Sequence, residues 1–217
     1  DFLREVNLGT GGQLSKDAVV IGGGNVAIDV ARTAVRKGAS SVTLYCLESA
    51  KEMPALAEEQ EQATEEGIVI NNGWGPKRIL SENGAVTGVE FKKCISVFEN
   101  GKFAPKYDEN ETITVACQTV LLAVGQSIEM GGLGAGEKFE TDGRGRIKVT
   151  EVAYQTAAED IFAGGDDVTG PKFAIDAIAT GKQGAESITR YLQGRNLTIC
   201  REREFKALDK TNLDTSG

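Results

Sequence analysis

The chain has 217 residues, of which 40% are apolar and 26% charged, with a formal net charge of -8 and no histidine. This is the make-up of an ordinary globular protein, long enough for one large domain or for one domain and part of another. An acidic balance with scattered Lys and Arg argues against nucleic acid or an acidic membrane surface as partner, and the missing histidine excludes His-dependent triads and removes the commonest metal ligand.

No apolar run is long enough to span a bilayer. The cysteines, Cys46, Cys94, Cys117 and Cys200, are far apart and form no CxxC pair. Neither a zinc site, an iron-sulfur cluster nor a redox dithiol is expected from them. Reduced thiols in a cytoplasmic protein are the simpler expectation. Gly is abundant at 27 residues, which suits an α/β protein with many tight turns.

In chain order, the apolar run Ala18–Ile21 predicts a buried parallel strand. A glycine loop follows at once, then helical spacing over 25–37 with Gly38 as the stop. Ser41–Leu47 is the next strand, and the three pieces make one βαβ unit. A charged helix is expected over Ala55–Glu66, with Pro54 just before it, and a third strand over Ile68–Ile70. Ile79–Leu80, Val86–Phe98 and Thr112–Val115 then read as antiparallel strands, with turns at Asn83-Gly84 and Asn100-Gly101. Val120–Val124 is a further buried strand ending at Gly125. The stretch from 126 to about 150 reads as connecting loop, Ile161–Ala163 as a short strand, about Phe173–Leu192 as a helix, and the residues after Cys200 as a polar tail or linker.

The loop Gly22-Gly23-Gly24-Asn25-Val26-Ala27 has the pattern G-x-G-x-x-A. The first Gly allows the sharp strand-to-helix turn, the second lets the backbone approach a pyrophosphate, and the small third residue permits close packing of helix on strand. The helix then presents unpaired N–H groups and a positive dipole end to the phosphates. Position after a strand, before a helix and inside a βαβ unit points to a dinucleotide-binding loop; the alternative is a glycine-rich βα turn with no ligand.

The second strand ends near Glu48, about 20 residues after the motif, where an acidic side chain accepts hydrogen bonds from the adenosine ribose hydroxyls. The alternative is a solvated strand-end carboxylate. If Glu48 faces the ribose, a 2′-phosphate is disfavoured: like charges about 4 Å apart repel by roughly 4 kcal/mol at an effective dielectric of 20. No Arg occupies positions 45–50, and Lys51 is the nearest cation in sequence. NAD(H) is therefore expected over NADP(H).

A second constellation is Gly125-Gln126 after a buried strand, followed later by Ile161-Phe162-Ala163-Gly164-Gly165-Asp166 and the stretch Ala174–Ala185. Asp166 stands at a strand end, where ligands collect in open α/β sheets, or else it is a turn or helix cap.

Together with Val19–Ala34, Glu52-Met53-Pro54-Ala55 and Leu122-Ala123-Val124-Gly125-Gln126, these stretches resemble the flavoproteins related to the small (beta) subunit of glutamate synthase. Those belong to the oxidoreductases with two dinucleotide-binding domains that are similar to pyridine nucleotide-disulfide reductases. The resemblance covers the chain to about residue 194. It implies that the Gly22 loop binds the nicotinamide dinucleotide and that Gly125-Gln126 returns the chain to an FAD domain. It also implies that Gly165 and Asp166 lie on the flavin side. The activity implied is hydride transfer from NAD(P)H to FAD, with electrons passed on to a partner subunit or domain and no catalytic side chain strictly required.

The fold implied is an α/β, Rossmann-like three-layer ββα FAD/NAD(P)-binding domain with a parallel sheet and an antiparallel meander, plus the C-terminal part of a second such domain. The expected boundaries are a crossing segment over 1–14, the NAD(P)-binding domain over 15–125, the FAD-domain part over 126–200 and a tail over 201–217. Two departures stand out. NADPH-using members carry an Arg-Arg pair after the second strand, where this chain has Cys46-Leu47-Glu48. The family also begins with an iron-sulfur region and an FAD-binding βαβ unit that this sequence lacks, so a piece of a longer protein with weak or absent flavin retention is expected.

Other features read as structural. Asp29 and Arg32 are spaced to pair on the first helix, Glu58–Glu61 form a solvated face, and Trp74 packs in the core or flanks the cofactor cleft. Two other functions remain open: a stand-alone NAD-dependent dehydrogenase, for which no Tyr-Lys pair or His is placed, and a domain that binds NAD(H) without turnover.

Overall fold

The computed structural model describes residues 1–14, 16–134 and 138–201. It divides into two compact units, Asp1–Gly125 and Gln126–Gly217. The expected polar tail, apart from Arg201, lies outside the described residues.

The first unit opens with a short helix α1 (Phe2–Asn7), where a crossing segment was expected. It continues through β1 (Ala18–Ile21), α2 (Asn25–Arg36), β2 (Val42–Cys46), α3 (Ala57–Glu65) and β3 (Val69–Asn72). Three long strands follow, β4 (Trp74–Glu82), β5 (Ala85–Glu99) and β6 (Lys102–Ala116), and β7 (Thr119–Leu122) closes the unit. The parallel sheet has the order β3-β2-β1-β7, and β4-β5-β6 form a separate antiparallel sheet. Ile21 pairs with Tyr45 on one side and Leu122 on the other, so three strands end level at one edge.

Strand alternation explains why β1 is apolar throughout. Ala18 and Val20 point to one face, where they meet Ala27, Ile28, Ala31 and Ala34 of α2 and Ala63 of α3. Val19 and Ile21 point to the other, where they meet Tyr45 and the meander residues Val89 and Phe91. The Tyr45 and Phe91 rings stack at 4.2 Å. The unit is thus three layers, helices on a parallel sheet on an antiparallel sheet, as the resemblance implies. A fully buried Val or Ile side chain contributes about 1.5–3 kcal/mol, and an exposed ion pair less than about 1 kcal/mol. The two-faced apolar core, rather than the charged surface, therefore holds the layers together.

Both meander turns follow the sequence. Asn83 and Gly84 have φ of 50° and 78°, Asn100 and Gly101 51° and 74°, the double positive φ of tight primed turns. The α3 helix starts at Ala57, two residues later than Pro54 suggests, because the Met53–Leu56 stretch is held by the glycine loop instead. The expected Asp29–Arg32 pair gives way to a longer-range one. Arg32 donates to Glu66 at 2.8 Å, Gln62 at 2.9 Å and Glu59 at 3.2 Å, clamping α2 to α3. The acidic face of α3 is for that reason partly neutralised.

The second unit contains a 3-10 turn at Gly131–Gly134, a short helix α4 (Asp166–Thr169) and the long helix α5 (Ala174–Leu192). The strand expected at Ile161–Ala163 is reduced to an isolated bridge between Gln155 and Phe162, and a second bridge joins Thr141 to Ile147. With no longer ladder for Phe162 to join, its side chain is held by an edge contact to Tyr191 of α5 at 5.8 Å.

Candidate nucleotide-binding site

The glycine loop lies at the level edge where β1, β2 and β7 end. Gly22 has φ of 145°. A Cβ there would stand 2.3 Å from the Ala123 carbonyl oxygen and 3.3 Å from the Ala27 methyl, so only glycine permits β7 and α2 to close on this turn. Its N–H donates to the Tyr45 carbonyl at 2.9 Å. Ala27 is fully buried, which is the close helix–strand packing that the small third residue allows.

Gly23 is crowded from the β2 side. A Cβ on it would lie 2.7 Å from Glu48 Oε2 and 3.1 Å from Cys46 Cβ. The Glu48 carboxylate therefore leans onto the glycine loop itself. Gly24 caps α2 with φ of -90°, and a Cβ there would meet nothing within 4 Å. Among the described residues, the N–H groups of Gly24, Asn25 and Val26 carry no backbone hydrogen bond, and Val26 is exposed. A helix start with free N–H groups, the positive end of the helix dipole and an open approach at Gly24 is built to receive an anion.

The loop is braced from α3. The Gly23 carbonyl accepts the Ala55 N–H at 3.0 Å, and Asn25 Oδ1 accepts the Leu56 N–H at 2.8 Å. Met53 and Ala55 are buried. This gives the Met53-Pro54-Ala55 stretch a physical role: it is the far wall of the loop. The β2 and β3 ends are tied as well, since the Glu48 carbonyl accepts the Gly73 N–H at 3.0 Å. Beneath them the Asn72 amide donates to Cys46 Sγ at 3.2 Å. Burial, seconded by the Glu48 charge, pushes the Cys46 thiol up to about 11, so it stays protonated.

Gly22, Gly23, Gly24, Asn25, Val26, Ala27 and Glu48 are therefore brought together. Trp74, which packs against the Val19–Phe91 core, keeps its structural role. Gly125 follows β7 with φ of 101°, a conformation suited to glycine, and a Cβ there would touch nothing. Gln126 is exposed at the start of the second unit.

Within the second unit, Gly165 takes φ of 69° and donates its N–H to Thr180 Oγ1 at 2.8 Å. The Thr180 hydroxyl in turn donates to the Ala177 carbonyl at 3.1 Å, so the Gly165 turn is pinned to the first turns of α5. Asp166 is exposed directly after it. The turn is held from behind by Arg146. Its guanidinium binds Asp142 at 2.6 Å and reaches the Thr169 carbonyl at 3.4 Å, while the Ile147 N–H donates to the Asp167 carbonyl at 2.7 Å. The Arg146 side chain and the N–H groups of Arg146 and Arg144 hold the Asp142 carboxyl at about 2. Nothing in the sequence pattern around residues 142–147 singled out this brace, because its partners are a turn and a carbonyl more than twenty residues on.

Among the described residues, no group of His, Cys, Asp or Glu is placed to hold a metal ion, and no helix is long and apolar enough to cross a membrane.

Known proteins resemble this chain in sequence and in fold. Residues 2–181 match the pyridine nucleotide-disulphide oxidoreductase family. The chain is 34% identical over 219 residues to the beta subunit of NADP(+)-dependent formate dehydrogenase from Moorella thermoacetica, covering 98% of this chain and 30% of that protein. It is 34% identical to the small chain of NADPH glutamate synthase from Halomonas elongata, covering 80% and 38%. It is also 34% identical to the PreT subunit of NAD-dependent dihydropyrimidine dehydrogenase from Escherichia coli, covering 89% and 42%. The chain thus spans well under half the length of these relatives. Among solved structures, thioredoxin reductase from T. acidophilum superposes with a TM-score of 0.68 at 20% identity, covering 88% of this chain and 56% of that one. The Lactococcus lactis thioredoxin reductase gives 0.65 at 23%, covering 84% and 55%. At such identity these two show the fold alone. The three-layer unit, its glycine loop and the family match over most of the chain lead to one conclusion: this is a member of the pyridine nucleotide-disulphide oxidoreductase family, of the kind similar to the glutamate synthase small chain.

Proposed function

We propose that the chain is the nicotinamide-dinucleotide-binding portion of a flavin-dependent oxidoreductase that takes hydride from NAD(P)H and sends electrons on to a partner subunit or domain. The observation that carries this reading is the start of α2. Its free N–H groups stand beside a Gly24 with open space where a Cβ would point, which fits the close approach of a pyrophosphate. The protein's part is to bind and orient the dinucleotide at the sheet edge; the hydride chemistry belongs to the cofactors.

Within that reading NAD(H) is the favoured ligand. The relatives include both NADPH-dependent and NAD-dependent proteins, so the preference rests on Glu48. Its carboxylate rests over Gly23, where it would accept from the ribose hydroxyls and repel a 2′-phosphate.

For FAD the residues fit less well. Gly165 and Asp166 form a turn suited to one hydroxylated stretch of the cofactor, yet among the described residues there is one glycine loop between a strand and a helix, and it is the Gly22 loop. We propose that FAD, and the boundary near Gly125-Gln126 with an FAD-domain part after it, belong to the function of the longer relatives, and that this chain retains flavin weakly. The domain that binds NAD(H) without turnover describes how the chain by itself would then behave, in a cytoplasm that keeps its thiols reduced.

The test is a calorimetric titration of the purified chain with NADH and with NADPH, alongside its visible flavin absorbance. Saturable NADH binding at a higher affinity than NADPH is expected, with little flavin. Absence of binding by both nucleotides would refute the reading; tighter NADPH binding would refute the Glu48 argument.

A further inference from the structure

Lys93 reaches the same edge of the parallel sheet from the meander. Gly73 follows β3 directly, donates to the Glu48 carbonyl at 3.0 Å and accepts the Cys94 N–H at 2.8 Å. Glu48, Gly73 and Cys94 thus form one hydrogen-bonded line from the end of β2 to the middle of β5. The Lys93 ammonium nitrogen lies 3.7 Å from the point a Cβ on Gly73 would occupy, one step beyond Glu48 along that line.

Lys93 is fixed there by Trp74, its cross-strand partner. Directly opposed residues share a face, and the Lys93 Nζ sits 4.6 Å from the centroid of the Trp74 ring, within the range of a cation–π contact. The ring itself is anchored on the Val19–Phe91 core, so the half-buried ammonium is held rather than swinging freely. Lys77, Lys92 and Lys106 of the same sheet each pair with a glutamate. Lys93 forms no ion pair among the described residues, and an aromatic face leaves its N–H donors available to an anion.

Building on the nucleotide reading, we propose that Lys93 is a second specificity-determining residue of the site: the cation that meets a 2′-phosphate on the adenosine ribose, opposing Glu48. The expected consequence is a graded preference. Glu48 keeps NADH the tighter ligand, and Lys93, arriving from a different sheet, keeps NADPH from being excluded. This replaces the cationic side chains after the second strand that residues 45–50 do not supply.

The test uses the whole chain as wild type, K93Q, K93R and K51Q, titrated calorimetrically with NADH and NADPH and with the pair 5′-AMP and adenosine 2′,5′-bisphosphate. K93Q is expected to weaken NADPH and the bisphosphate on the order of tenfold or more, the loss of one charge-assisted contact, with little change for NADH and 5′-AMP. K93R should retain the wild-type ratio, and the wild-type NADPH affinity should fall more steeply with salt than that of K93Q. The proposal is overturned if K93Q affects both ligands of a pair alike, if it affects neither, or if K51Q removes the NADPH affinity instead. A wild-type chain that binds neither nucleotide would overturn the underlying site as well, a result distinct from all of these.

Discussion

Asn25 Oδ1 accepts the backbone N–H of Leu56 at 2.8 Å across 31 residues of sequence. The first residue of α2 thereby holds the residue that precedes α3, and the wall of the glycine loop is held by a side chain of the loop itself. Replacing Asn25 by Ala removes a hydrogen bond worth about 0.5–1.5 kcal/mol and regains a few tenths of a kcal/mol in helix propensity. Since the Leu56 N–H is exposed, water takes the vacated place. A net loss of about 0.5–1 kcal/mol is expected in urea unfolding, together with weaker NADH binding because the 53–56 wall is released.

Gly22 and Gly24 should separate stability from binding. In G22A the new methyl meets the Ala123 carbonyl oxygen at 2.3 Å on a backbone of positive φ, so the fold must shift; a loss above about 2 kcal/mol is expected. In G24A the methyl meets nothing at a φ that alanine tolerates, so the unfolding midpoint should move little. Nucleotide affinity should nonetheless collapse, since the methyl stands where a pyrophosphate approaches. Unchanged NADH affinity in G24A would contradict the site.

Glu48→Gln keeps the shape of the side chain over Gly23 and removes its charge. NADPH affinity is expected to rise relative to NADH by on the order of tenfold, following the loss of a like-charge repulsion and of a charge-assisted ribose contact. The ratio of the two dissociation constants, measured on one preparation, is the readout. A ratio equal to that of the wild type would remove Glu48 from cofactor choice.

The four thiols should differ sharply in reactivity. Cys46, Cys94 and Cys117 are buried and Cys200 is exposed. Burial raises all three of the former, Cys46 to about 11, so none is a thiolate near neutral pH. Titration with a thiol reagent should label Cys200 rapidly in the native protein and the other three only after denaturation. Rapid native labelling of Cys46 would show that the floor beneath Glu48 opens readily.

The clamp between α2 and α3 has a pH signature. Hydrogen bonds from Arg36, and then from Arg32, hold the Glu66 carboxyl below its ordinary value of 4.5. A carboxyl depressed on folding stabilises the folded state above its unfolded value, and that contribution disappears as pH falls through the folded one. The thermal midpoint of the wild type should therefore drop on acidification through the carboxylate range. E66Q should start lower at neutral pH and drop less. Parallel pH profiles for the two proteins would contradict the assignment.

The sequence carried most of the first unit because its signals are local. The apolar run at Ala18–Ile21, the glycine loop and the two Asn-Gly turns each report a conformation set by neighbouring residues, and all appear where their patterns put them. Signals that depend on distant partners misled. Asp29 and Arg32 have the spacing of a helix pair, but Glu66, Gln62 and Glu59 offer Arg32 better geometry from α3. Pro54 marked a helix start, but the Gly23 carbonyl takes the Ala55 N–H and delays the helix to Ala57. The Ile161–Ala163 run has strand composition, but only Phe162 finds a bridge partner, Gln155.

The sequence by itself determined the order of strands and helices in the first unit, the glycine loop and, through the motifs that carry the resemblance, the family and its layered fold. The elements follow from period and glycine placement, which are properties of consecutive residues. Tertiary structure alone decided what surrounds the loop: that Ala123 forbids a side chain at Gly22, that Glu48 lies against Gly23, and that Asn25 ties down Leu56. It also decided that Lys93 reaches from the antiparallel sheet to the Gly73 turn, which is hydrogen-bonded to Glu48. The physical reason is that closing a long loop in the chain brings together groups whose separation along the sequence carries no information about the contact they make.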